Sequence, residues 1–229
     1  MICWSCERGA GEGPLCAGCG ALLPPDPTAD HFAVLGLPRR YDIDTAEAES
    51  RFRSLSRQFH PDRFAKADPR ARRASLQRSV QLNEAWRTIK DPLRRAEYLL
   101  QLAGYDIGRE GAGEGQRAGG DPRPPVPIPP QLLGEILELR EELGEARASE
   151  DHARVEAMAT TMRERLARSL SVVEEALADR PEQSEAARRA DRERAVGELI
   201  AIRYFRRFLD EVAAHDEAVA AAAEGAAHA

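Results

Sequence analysis

Aromatic residues are scarce in this chain, at 5% of 229 positions, and no cysteine follows residue 19. Strands draw on aromatic and β-branched side chains, so this poverty, set beside 31% charged residues, disfavours sheets and favours helices. No apolar run approaches the ~20 residues that a membrane-spanning helix needs, so no helical span is expected. The start Met1-Ile2-Cys3-Trp4-Ser5 lacks the basic residues, apolar run and cleavage site of a secretory signal, and the expectation is an intracellular chain. A phosphate-binding glycine loop, a nucleophile elbow and an HExxH pair are missing as well, so no enzyme activity is expected.

The four cysteines that are present read as Cys3-x-x-Cys6 and Cys16-x-x-Cys19. Two such pairs suit a tetrathiolate metal site, with zinc the first choice. The segment is too short and glycine-rich to fold by apolar burial, so metal affinity must supply its folding free energy. Two disulfides would need an oxidising compartment, a redox dithiol would open a helix beside a strand, and an iron–sulfur cluster would use similar thiolates. Residues 22–28 contain Pro24, Pro25 and Pro27 and read as a stiff spacer to a separate domain. Three roles stay open for this knuckle: a stability clip, a dimer contact, or a further docking point.

A formal net charge of -6 hides an asymmetry. Residues 51–95 hold thirteen Arg or Lys against four Asp or Glu, about +9 locally, and the remainder sums to about -15. Such a basic island fits a nucleic-acid surface or a dock for an acidic protein. Only Trp4 and Arg8 accompany the cysteines as stacking or phosphate-binding candidates, so nucleic acid is the weaker reading.

Residues 30–104 read as a compact helical domain. A short apolar turn, His31 to Leu35, is stopped by Gly36 and Pro38. Asp42, Asp44 and Thr45 supply caps with Glu47 following, and a helix from Thr45 to Phe59 sets Ala48, Phe52, Leu55 and Phe59 on one face and Arg51, Arg53 and Arg57 elsewhere. Pro61 ends it and leaves His60-Pro61-Asp62 in an exposed loop. A second helix, from Pro69 to Ile89, carries Ala74, Leu76, Val80, Ala85, Trp86 and Ile89 as its apolar set and runs antiparallel to the first. Pro92 opens a short helix through Leu100.

Gly108, Gly111, Gly113, Gly115, Gly119 and Gly120 are followed by Pro122, Pro124, Pro125, Pro127, Pro129 and Pro130, which makes residues 105–130 a linker. From Gln131 an apolar stripe of Leu132, Leu133, Ile136, Leu137, Leu139 and Leu143 begins a three-helix bundle over 131–222. The second helix runs through Val155, Met158, Met162, Leu166, Leu170, Val173 and Leu177, and the third follows Pro181 with Val196, Leu199, Ile202, Phe205 and Phe208. The alanine-rich end, 218–229, has little to bury and is expected to fray. The fold class is all-α: a zinc knuckle over 1–23, a helical hairpin domain over 30–104, and the bundle.

His60-Pro61-Asp62 between antiparallel helices, the first of them basic, resembles a J-domain. The flanking Phe32-x-x-Leu35-Gly36-Leu37-Pro38, Asn83-Glu84-Ala85-Trp86 and Asp91-Pro92-Leu93-Arg94-Arg95-Ala96-Glu97-Tyr98 resemble the HscB co-chaperones of iron–sulfur assembly, as does Leu137-Glu138-Leu139-Arg140-Glu141-Glu142-Leu143 in the bundle. The cysteines look like the extension found on animal HscB relatives. With no transit-like segment before Cys3, a bacterial cytoplasm is the expectation. The resemblance implies that His60, Pro61 and Asp62, with Arg51, Arg53, Arg57, Arg63 and Lys66, contact an HscA/DnaK-class ATPase. It implies an IscU-type scaffold held at Leu133, Leu137 and Tyr204, with Gly134 standing where relatives carry a bulky apolar residue. Cys3, Cys6, Cys16 and Cys19 would hold structural zinc. A homodimer stays open, and a general protein-folding J-protein is the nearest rival. Core roles are expected for Phe52, Leu55, Phe59, Val80, Trp86 and Leu99, and Tyr98 is expected to pack within the first core or between the domains, its hydroxyl without an inferred role.

Overall fold

The computed structural model describes residues 1–105, 107 and 129–227, with the side chains of the last helix described through residue 214. Among these residues it is all-α, with α1 His31–Leu35, α2 Thr45–Phe59, α3 Pro69–Lys90, α4 Pro92–Leu102, α5 Pro130–Ala148, α6 His152–Leu177 and α7 Glu185–Ala227. The chain divides into two compact units, Met1–Tyr98 and Leu99–Ala229. The glycine- and proline-rich stretch expected as a linker lies almost wholly outside the described residues.

Each helix of the first unit starts on a carboxylate. The side chains of Asp30, Asp44 and Asp68 accept from first-turn amides of α1, α2 and α3, and Asp91 does so for Leu93 and Arg94. Gly36 ends α1 at φ 67°, a left-handed cap that costs glycine nothing. The α3 helix packs against both α1 and α2. Its buried face is Ala71, Ala74, Ser75, Leu82, Ala85 and Ile89.

That face differs from the apolar set expected for α3. Leu76 and Val80 are 57% and 60% exposed, while Ala71 and Ser75 are buried. Small side chains let α2 and α3 approach closely, so the inner face is marked by Ala and Ser rather than by the largest apolar residues. Phe52 and Trp86 are half-buried and stacked at 5.1 Å, and Leu55 and Leu99 are half-buried too. Tyr98 gains a role: its hydroxyl accepts from the His31 N–H at 3.0 Å, and its ring stacks on His31 at 4.3 Å. It thereby satisfies an orphan amide at the start of α1.

In the second unit α6 and α7 pair along their lengths around Val155, Met158, Met162, Phe205, Phe208 and Val212. Asp151 caps α6 through the Arg154 amide. Leu143 and Ala146, near the end of α5, join this core. Half-buried Leu139 packs against it, while Leu132 and Ile136 are half-buried and Leu133 and Leu137 exposed. Ion pairs, Arg165 with Glu135 at 3.0 Å and Arg154 with Glu142 at 3.1 Å, tie α5 to α6 as well. Leu170 on α6 is also exposed. The alanine-rich end is helical through Ala227, consistent with alanine's lead in helix propensity.

Candidate functional site

Two sites lie in the first unit. The first is the cysteine knuckle, built from two copies of one turn thirteen residues apart. Cys3 N–H bonds the Arg8 carbonyl at 2.9 Å and Glu7 N–H the Cys3 carbonyl at 3.0 Å; Cys16 and Gly20 repeat this with Ala21 and Cys16 at 2.9 and 2.8 Å. Isolated bridges Ile2 to Gly9 and Leu15 to Leu22 close the two loops. Glu7 and Gly20, each following a second cysteine, sit at φ 57° and 71°. The left-handed turn aims both sulfurs of each pair inward, and the amides of Ser5 and Gly18 donate to the sulfurs of Cys3 and Cys16 at 3.4 Å.

All four thiols are free, and their sulfurs lie within 4.8 Å of one another. Cys3 and Cys19 are 3.7 Å apart, as are Cys6 and Cys16. A tetrahedron with zinc–sulfur arms of ~2.3 Å has edges of about 3.8 Å, so the donor set fits a soft tetrahedral cation. The protonation pattern fits as well. The Arg8 backbone N–H, with the Arg8 side chain, holds the Cys6 thiol down at about 6. Against the Ala21 N–H, burial and the neighbouring sulfurs push Cys19 up to about 11. Crowded sulfurs share protons that a cation would displace.

The knuckle is not spaced away from the helices by its prolines. Leu22 and Leu23 are 2% and 3% exposed, and Leu22 packs with Phe59 and Ala74. Arg78 donates to the carbonyls of Leu23 and Pro24 at 2.7 and 3.0 Å, and Gln81 donates to that of Asp26 at 2.9 Å. Pro24 suits this path because its carbonyl accepts while it has no N–H to satisfy. The expectation of a stiff spacer is corrected: apolar residues flank the prolines and have a surface to cover.

The second site is the corner between α2 and α3. Pro61 to Phe64 form one 3-10 turn rather than a loop. His60 caps it, its Nδ1 accepting from the Asp62 N–H at 3.3 Å, with the Asp62 carboxylate 3.6 Å away. In the tautomer that carries its proton on Nε2, Nδ1 accepts from the amide; a proton on Nδ1 would instead be donated toward the carboxylate. The Asp62 side chain is 91% exposed. Below the corner, Ser75 and Ser79 hydroxyls donate to the Phe59 carbonyl at 2.7 and 3.1 Å. Sequence reading missed these serines, whose only signal is a four-residue spacing that places both on one helix face.

The basic residues divide. Arg51 pairs with Glu47 at 2.7 Å and bonds the Gly36 carbonyl, and Arg53 pairs with Glu49 at 2.6 Å. Among the described residues Arg57, Arg63 and Lys66 have no acidic partner; Arg63 donates to the Arg57 carbonyl at 3.3 Å. Of these five cations, the three without an acidic partner lie within six residues of His60 in the chain.

On the second unit Leu133 and Leu137 are 44% and 55% exposed. Tyr204 lines a groove with Ile136, Leu139, Arg140, Met162 and Phe208. Ile136 escaped the sequence reading because it looked like ordinary bundle core.

Residues 30–98 match the DnaJ domain and residues 128–213 the HSCB C-terminal oligomerisation domain. The fold is similar to the human co-chaperone protein HscB, with a TM-score of 0.68 and 29% identity over 94% of this chain and 98% of that one. It is also similar to the chaperone HscB from Vibrio cholerae, with a TM-score of 0.61 and 29% identity over 83% of this chain and 99% of that one. The exposed His60-Pro61-Asp62 corner and the matching domain define a J-domain protein. With the second domain and the shared fold, the chain is of the HscB type. Among the described residues no helix is long and apolar enough to cross a membrane.

Proposed function

We propose that this co-chaperone stimulates ATP hydrolysis by an HscA/DnaK-class chaperone and delivers to it an IscU-type iron–sulfur scaffold for cluster transfer. The observation that carries the reading is Asp62, a carboxylate 91% exposed on a capped turn beside uncompensated cations. Such a group is free to accept a charge-assisted bond from an arginine of the ATPase, while Pro61 limits the entropy lost on docking. Arg57, Arg63 and Lys66 steer the encounter toward an acidic patch, with Arg51 and Arg53 contributing through charges partly spent on their own helix. Binding should therefore weaken as salt rises.

Zinc is the ion assigned to Cys3, Cys6, Cys16 and Cys19, where it would serve as a structural cross-link. The division we assign is a knuckle over 1–23, a J-domain over 30–104, a linker over 105–130 and a scaffold-binding bundle over 131–222. A bacterial cytoplasm suits this work.

The scaffold is placed on α5 and α7. Leu133 and Leu137 contribute little to the bundle core, and large exposed apolar side chains act as anchors for partners. Tyr204 and the groove beside Ile136 extend the surface. A side chain added at Gly134 would meet nothing within 4 Å, so the residue leaves space on this face. Replacing both Leu133 and Leu137 by alanine should weaken scaffold binding by at least about tenfold, each anchor contributing on the order of 1 kcal/mol or more. The melting temperature should stay within about 2 °C, since neither residue supports the core. Calorimetric titration with the scaffold and a thermal melt check both halves; wild-type affinity would remove these residues from the surface. A general folding role would show instead as equal stimulation of a general DnaK and of the scaffold-specific ATPase.

A further inference from the structure

Phe59, the last residue of α2 and the one before the corner, is held from two sides. From α3, Ser75 and Ser79 bond its carbonyl. A carbonyl in the last helical turn has no intrahelical N–H to accept from, so the two hydroxyls fix the direction in which the chain leaves α2. From the other side the ring is covered by Leu22, three residues past Cys19. Arg78 completes the cover, its guanidinium 5.3 Å from the Phe59 ring centroid while it grips the Leu23 and Pro24 carbonyls.

Leu22 reaches Phe59 because the cysteine loops hold it there. The bridge from Leu15 to Leu22, the Trp4 indole N–H to the Leu22 carbonyl at 2.8 Å, and the Leu23 N–H to the Pro14 carbonyl at 2.9 Å all belong to the knuckle. The knuckle's own buried residues are Cys3, Ala10, Cys16 and Leu23, half of them metal ligands, and so small a core cannot hold its shape without a cross-link. Losing the metal would therefore release the cover over Phe59.

We propose that the tetrathiolate knuckle is a positioning element of the J-domain: through Leu22 and Arg78 it clamps Phe59 and so fixes the attitude of the His60–Asp62 corner. This rests on the ATPase-stimulating reading above and extends it to the metal, whose loading and whose loss would raise and lower the affinity of the corner for its partner.

The test uses the full chain and two readouts on the same preparations: amide hydrogen exchange over residues 57–65 and titration of the partner ATPase. Leu22→Ala leaves all four sulfurs in place, so zinc by native mass spectrometry stays at one per chain. Exchange over 57–65 rises about tenfold, as expected when a buried leucine is truncated beside a helix end, and amides of α6 keep wild-type rates. The half-maximal concentration for stimulation rises several-fold while the rate at saturation approaches wild type, a split that simple unfolding would not produce. Leu22→Met restores both values. Chelating the metal from the wild-type chain loosens the same amides, and added Zn²⁺ reverses it. Unchanged exchange in the metal-free chain overturns the proposal, as does loosened exchange with an unshifted titration. Neither outcome touches the functional reading, which is tested separately by Asp62→Asn and by stimulation with the wild-type chain.

Discussion

Asp62→Asn should return the partner ATPase to its basal rate while leaving the melting temperature of the co-chaperone where it was. The two halves follow from one number, the 91% exposure of the side chain. Because Asp62 has so little contact with its own fold, its replacement should change stability by no more than about 0.5 kcal/mol. A bond between a carboxylate and an arginine contributes roughly 1.5–3 kcal/mol, and an amide in its place keeps the shape while removing the charge. That loss corresponds to a fall in affinity of about ten- to a hundredfold. Steady-state hydrolysis with a thermal melt on the same sample checks both halves. Stimulation at the wild-type level would remove the J-domain mechanism from this chain.

Stripping the knuckle of metal should be the second large effect. Structural zinc supplies on the order of 10–16 kcal/mol of apparent binding free energy in isolated zinc-finger peptides, far more than a core of Cys3, Ala10, Cys16 and Leu23 could replace. Residues 1–23 are expected to unfold on chelation. Trp4 then loses its bond to the Leu22 carbonyl and its packing against the knuckle core, so its emission shifts to the red. Trp86, stacked on Phe52, would mask part of the shift, and the measurement is best made with Trp86→Phe. The helices of the second unit, which have their own core, should keep their circular dichroism. Emission unchanged after removal of all bound metal would mean that the knuckle holds itself together.

The residues that were legible in the sequence are those whose chemistry is local. Asp44 before Thr45 and Pro61 after Phe59 bound α2 at its observed ends, because a cap and a helix breaker act within one turn. The cysteine spacing pointed to a metal site for the same reason. What escaped depends on what the chain meets after folding. Val80 has helical spacing and a large apolar side chain yet points to solvent, since the close contact between α2 and α3 is made by Ala74 and Ser75. Residues 22–28 have the composition of a spacer, but Arg78 and Gln81, more than fifty positions away, collect the carbonyls of Leu23, Pro24 and Asp26. On α5 the spacing alone suggested a buried stripe while the resemblance set Leu133 and Leu137 on a partner surface, and α6 and α7 complete most of a core between themselves. Leu133 and Leu137 are left uncovered, and that excess of apolar surface carries the scaffold proposal.

The central claim is that one exposed carboxylate corner drives another protein's ATP hydrolysis while a separate helical unit brings the cargo. Single-turnover hydrolysis by an HscA/DnaK-class chaperone, titrated with the metal-loaded full chain with and without the IscU-type scaffold, tests it most directly. The account predicts acceleration by the chain alone and a further increase, at lower chain concentration, when the scaffold is present. A rate that stays basal at saturating chain, with or without scaffold, would contradict it.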